Sequence, residues 1–115
     1  MARKLENYLR TYRKSTGLSQ DEVAFLVGCE SGAEVSRHER FSRRPPMEGI
    51  LAYEVIFGAP ARDLFAGARH KVEEAARQRA ALLAAKLGAK ASDPTAARKL
   101  DVLRSIAAGP APQST

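Results

Sequence analysis

Four arginines within eight residues, Arg37, Arg40, Arg43 and Arg44, are the densest chemistry in this 115-residue chain. A guanidinium is permanently charged and presents a fork of N–H donors, which matches phosphate oxygens or the O6/N7 edge of guanine. Residues suited to bond-breaking are scarce by comparison. His38 and His70 stand far apart, and neither has a metal-ligand partner at helical spacing. Cys29 is the only cysteine, which excludes an intramolecular disulfide and a multi-cysteine zinc site, and it reads as a small packing residue. Gly28 and Gly32 read as a helix end and a turn, not a phosphate loop. The expectation is therefore no enzyme, no cofactor and no metal. The net charge of +6 favours an acidic partner, nucleic acid first.

The arginines need a support, and Leu18–Arg40 supplies one that reads as two short helices with a tight connection. Ser19 and Glu22 form a capping box, with Leu18 and Val23 as its hydrophobic staple. Val23, Ala24, Leu26 and Val27 make an apolar stripe, and Gly28 is a left-handed stop. Ser31 and Glu34 read as a second capping box. The helix that follows has one firm core residue, Val35. Gly32, Ala33, Ser36, Arg37 and Arg40 form its outer face. Such a helix suits insertion into a groove. On that reading Ala33, Ser36 and Arg37 face the bases, Ala33 with a methyl for thymine and Arg37 as the main reader of guanine. Glu34 can accept from cytosine, but its cap role competes and is preferred. Arg40, Arg43 and Arg44 hold the sugar–phosphate backbone, which gives affinity and salt dependence without sequence preference.

These residues resemble the helix-turn-helix domain of the Cro and phage-repressor (lambda-repressor-like) family. The resemblance rests on G-L-S-Q at 17–20, V-A at 23–24, V-S-R-H-E-R at 35–40, R-R-P at 43–45, I-F-G at 56–58 and D-L-F-A-G at 63–67. It implies an all-α, five-helix domain that enters the major groove of double-stranded DNA. It also implies a sequence-specific transcriptional regulator, a repressor acting as a homodimer on a near-palindromic operator. By the same resemblance Gln20 faces a phosphate, and Arg13 packs against Glu39. Two positions depart from the family pattern. One residue more than usual separates Gly28 from Val35, so that either the turn is longer or the second helix begins a residue earlier, and Phe41 stands where glycine is usual. A left-handed Phe41 costs on the order of 1–2 kcal/mol; the alternative is a longer helix with Phe41 docked on the core. Two other functions fit the same domain: an antitoxin that represses its own promoter while its C-terminal helices neutralise a partner, and a protein-interaction adaptor that does not read DNA.

The rest of the chain frames this segment. Residues 3–16 place Leu5, Tyr8, Leu9 and Tyr12 on one helical face, and Glu6 argues against a transit peptide. Met47–Phe57 is apolar around most of its circumference, as in a central buried helix ended by Gly58. Pro60 starts a short helix holding Leu64 and Phe65, with Gly67 as its stop. Residues 68–91 read as a long alanine-rich helix with Val72, Ala76, Leu83 and Leu87 on one face, joined by Ala75, Ala80 and Leu82. Ser92-Asp93-Pro94 then starts a last helix with Leu100, Val102, Leu103 and Ile106 on its apolar side. The domain expectation is 1–67 for the DNA-binding unit, 68–106 for a helical extension that dimerises, and 107–115 for a disordered tail. Residues 68–115 carry nine basic and four acidic side chains. No secretory apolar segment and no run long enough to span a bilayer is present, so the chain reads as soluble and cytoplasmic.

Overall fold

Helix signals recur every ten to twenty residues from Tyr8 onward, and strand-like alternation is nowhere sustained. A computed structural model describes residues 6–88 and 93–110, and among these every regular element is α-helical. The elements are α1 (Leu9–Thr16), α2 (Gln20–Val27), α3 (Gly32–Glu39), α4 (Met47–Phe57), α5 (Ala61–Leu64), α6 (Ala66–Gly88) and α7 (Pro94–Ala108). They fall into two compact units, Met1–Arg69 and His70–Thr115.

In the first unit α2 packs on α3 and α4, α1 on α3, and α4 on α5. Leu9, Val23, Ala24, Val35, Tyr53, Leu64 and Phe65 form the core. Five of these positions are almost wholly buried, each side chain worth about 1.5–3 kcal/mol for an aliphatic residue taken from water. α1 is shorter than the sequence suggests, because Asn7 intervenes: its Oδ1 accepts from Leu9 N–H at 3.1 Å and starts the helix there. The preceding backbone is tied across the fold, Tyr8 N–H to Leu64 O at 2.7 Å and Ala68 N–H to Glu6 O at 3.2 Å. The expected Leu5 position on the first helix lies outside the described residues.

Three further expectations are corrected. α4 is not enclosed: Gly49 and Tyr53 are buried, but Met47, Leu51 and Val55 leave an exposed apolar stripe at i, i+4, i+8. Likewise Leu26 on α2 is about half exposed. Gly67 does not stop a helix. Phe65 caps the four-residue α5, whose first N–H is held by Glu54 Oε2 at 2.6 Å, and α6 begins at Ala66 with Gly67 inside it. The last helix runs through Ala107 and Ala108, which the sequence assigns to the tail; residues 111–115 lie outside the described residues.

The second unit is an antiparallel pair, α7 returning along the His70–Gly88 part of α6. Asp93 Oδ1 caps α7 through Ala96 N–H at 2.7 Å, with Pro94 in the first turn. At the other end Arg77 donates to Ile106 O at 2.7 Å and to Glu73 Oε2 at 3.0 Å. The buried positions here are Ala80, Ala84 and Leu100, whereas Val72, Leu82 and Leu83 are exposed. Of the apolar faces read from the sequence, Ala80 and Leu100 are buried and Leu87 and Leu103 half-buried, while Val72, Leu83 and Val102 stay exposed. Leu83, Leu87, Val102 and Leu103 line an open apolar cleft of about 410 Å³. Among the described residues no helix is long and apolar enough to cross a membrane.

Candidate functional site

The site begins with how α2 is started and stopped. Ser19 Oγ accepts from Glu22 N–H at 3.0 Å, and Glu22 Oε1 accepts from Ser19 N–H at 2.8 Å, so the capping box closes in both directions. Gly28 ends the helix at φ 93°, in the left-handed region that a Cβ disfavours. Cys29, Glu30 and Ser31 then bridge to α3.

α3 is not capped as expected. Ser31 makes no side-chain cap bond, so the second capping box is absent. Asp21 supplies the cap from α2 instead: its Oδ1 accepts Gly32 N–H at 2.9 Å. This requires a close approach. Gly32 is buried, not on the outer face, and a Cβ there would meet Asp21 Oδ1 at 2.5 Å and Asp21 N at 3.0 Å. Freed from the cap, Glu34 stands beside Cys29, where burial first and the Glu34 carboxylate second raise the thiol above its ordinary value. That environment disfavours a reactive thiolate.

The far end of α3 closes in a Schellman arrangement, Ser42 N–H to Arg37 O at 3.0 Å and Phe41 N–H to His38 O at 3.1 Å. Phe41 takes the left-handed position at φ 56°, yet its ring packs on the core. The left-handed alternative therefore holds and α3 does not run on past Glu39, but the ring docks on the core all the same, and its burial offsets backbone strain. The Arg44 guanidinium lies 5.7 Å from the Phe41 ring centroid, a cation–π contact that holds it near the end of α3.

Two buried polar ties fix α3 from behind. His38 is buried and shares a 2.8 Å hydrogen bond between Nδ1 and the Tyr53 hydroxyl. Burial lowers its pKa; Glu34 opposes that and Arg43 adds to it. Burial likewise pushes the Tyr53 hydroxyl well above its usual value. Asn7 Nδ2 donates to His38 O at 2.9 Å, so one amide both starts α1 and anchors α3. Arg13 and Glu39 form the second tie. Nε to Oε2 is 2.5 Å and Nη2 to Oε1 is 3.2 Å, while Arg13 Nη1 also donates to Leu18 O at 3.2 Å. Glu39 raises the Arg13 pKa through this hydrogen bond, against the opposing effect of burial. Gln20 Nε2 donates to Glu39 Oε1 at 3.0 Å, so its amide is fixed against the pair and half-buried.

With Gly32, Val35 and His38 turned inward, Ala33, Arg37 and Arg40 are exposed and Ser36 is half-exposed on one stripe of α3. Arg43 and Arg44 are exposed just beyond. Arg40 Nε also rests on Ser36 O at 3.3 Å. Sequence reasoning missed Asn7 and Asp21. An asparagine two residues before an apolar helix is a local cap signal, whereas nothing near Asp21 announces its bond to Gly32. Among the described residues no group of three or more His, Cys, Asp or Glu is placed to hold a metal ion. The chain matches no protein-family model, no curated protein and no solved structure.

Proposed function

We propose that this chain is a sequence-specific DNA-binding regulator of the lambda-repressor-like helix-turn-helix type, a repressor working as a homodimer on double-stranded DNA. The observation that carries the reading is α3 itself. Its inner side is held by Asp21, Asn7, Tyr53 and the Arg13–Glu39 pair, and its outer stripe offers Ala33, Ser36, Arg37 and Arg40 to solvent. A helix held this firmly with a side-chain-poor, cationic outer face is matched to the major groove, where fixed orientation is what turns a guanidinium into a base reader. Arg37 reads guanine on this proposal, and Arg40, Arg43, Arg44 and Gln20 hold phosphates. The exposed Val72, Leu82 and Leu83 of the second unit give the homodimer an apolar contact.

Selection of bound duplexes from a random pool tests the proposal. The expected product is a pair of half-sites about 34 Å, or one helical turn, apart. In the Arg37→Ala chain preference should relax at one base position, at a cost of roughly 1–3 kcal/mol. Failure to enrich any duplex sequence refutes the function; enrichment that Arg37→Ala leaves intact refutes the reading face.

A further inference from the structure

A cleft of about 890 Å³ in the first unit opens between α1, the start of α2 and α3. Its floor is already neutral, because Glu39 is matched by Arg13 and bonded to Gln20. Its rim is cationic. Arg10 and Lys14 stand on α1 and Arg40 on α3, all exposed. Among the described residues the side chains of Arg10 and Lys14 make no hydrogen bond or ion pair, and beyond the backbone bonds of α1 itself only the Lys14 carbonyl is engaged, by Gly17 N–H. They are four residues apart, so their stems leave the same side of α1 about 6 Å apart. Glu6, the other carboxylate at the edge, has an interaction of its own.

Two unpaired cations at this spacing, facing a third across an open trough, suit a chain of regularly spaced anions better than a single small anion, which would need enclosure. The trough also adjoins the outer stripe of α3 through Ser36 and Arg40. We infer that the α1–α3 cleft seats the DNA sugar–phosphate backbone, with Arg10 and Lys14 as phosphate ligands on α1 that add to those of α3 and the following turn. This rests on the proposed DNA-binding function and assigns a second helix to the interface. A strand lying in the trough would be gripped from both walls while Arg37 reaches the bases beside it. Neutralised phosphates release their counterions, so each such contact is measurable as salt dependence.

The test is a set of titrations of the full-length chain with two labelled duplexes, one enriched by selection and one of scrambled sequence, over about 50 to 200 mM salt. Arg10→Gln with Lys14→Gln removes both charges from exposed positions while keeping residues that favour helix. Affinity should fall by the same factor on both duplexes, and the slope of log K against log salt should become shallower by roughly 1.8. Over that fourfold salt range the wild type then loses about 12-fold more affinity than the variant. Lys14→Gln alone should give about half the slope change, and Arg62→Gln, an exposed cation on α5, should give none. An unchanged slope in the double variant overturns the inference, as does an equal change in the Arg62 variant or a loss confined to the selected duplex. If the wild type binds neither duplex, the DNA-binding proposal itself falls, an outcome read before any variant is compared.

Discussion

Replacing Arg13 by methionine should unfold the first unit more readily than any other single change to its exposed or half-exposed polar residues. Methionine keeps an unbranched stem but removes the charge. The Glu39 side chain is only 4% exposed and accepts three hydrogen bonds, two from Arg13 and one from Gln20. Losing Arg13 removes two of them and leaves a buried carboxylate facing a neutral amide. Two charged hydrogen bonds at about 1.5–3 kcal/mol each set the scale, and a broken buried pair costs about 3–5 kcal/mol by direct comparison. That is a large part of the 5–15 kcal/mol typical of a whole domain. Glu39→Gln should cost less, because Arg13 is 13% exposed and keeps Leu18 O as an acceptor. Tyrosine fluorescence during urea unfolding isolates the right unit, since Tyr8, Tyr12 and Tyr53 all lie within Met1–Arg69 and the chain has no tryptophan. The double variant should lose less than the sum of the single changes, by about 0.5–3 kcal/mol. Additive losses would refute the coupling on which the orientation of α3 depends.

Three shorter predictions use the same signal or sedimentation. Ser19→Ala should cost about 1 kcal/mol through its lost cap, whereas Ser31→Ala should stay within about 0.5 kcal/mol because its side chain caps nothing; equal losses would contradict the Asp21 cap. Burial holds His38 below its usual 6.5, so the unfolded chain takes up a proton that the folded chain refuses. Stability should therefore be full above about pH 6.5 and fall as pH drops through that value towards the lower folded one, an effect absent from His38→Phe; matching pH profiles for the two chains would sink it. Leu82→Glu with Leu83→Glu, both exposed, should turn a homodimer into a monomer by sedimentation without loss of helix, and a persisting dimer would move the interface elsewhere.

What the sequence determined by itself was whatever depends on neighbours three or four residues away. The Ser19–Glu22 box, the Gly28 stop and the start of the last helix at Asp93-Pro94 are bonds or dihedral preferences closed within one turn, so residue type and spacing specify them. The same reasoning failed where a distant group outcompeted a local one. Ser31 and Glu34 have the spacing of a cap, but Asp21 arrives from α2 and takes the Gly32 N–H, with eleven positions between donor and acceptor. Asn7 reaches a carbonyl 31 positions away. Hydrophobicity along α4 likewise says that Met47, Leu51 and Val55 prefer burial, but which face meets α2 and α5 depends on where those helices lie. Arg13 and Glu39 lie between these cases: the family resemblance links them, and only the tertiary structure brings their charges to 2.5 Å and buries them. Local geometry is encoded in sequence separation, whereas desolvation and long-range hydrogen bonds are properties of the packed chain. The exposed stripe of α3 is therefore legible from its residues, while its orientation belongs to the fold.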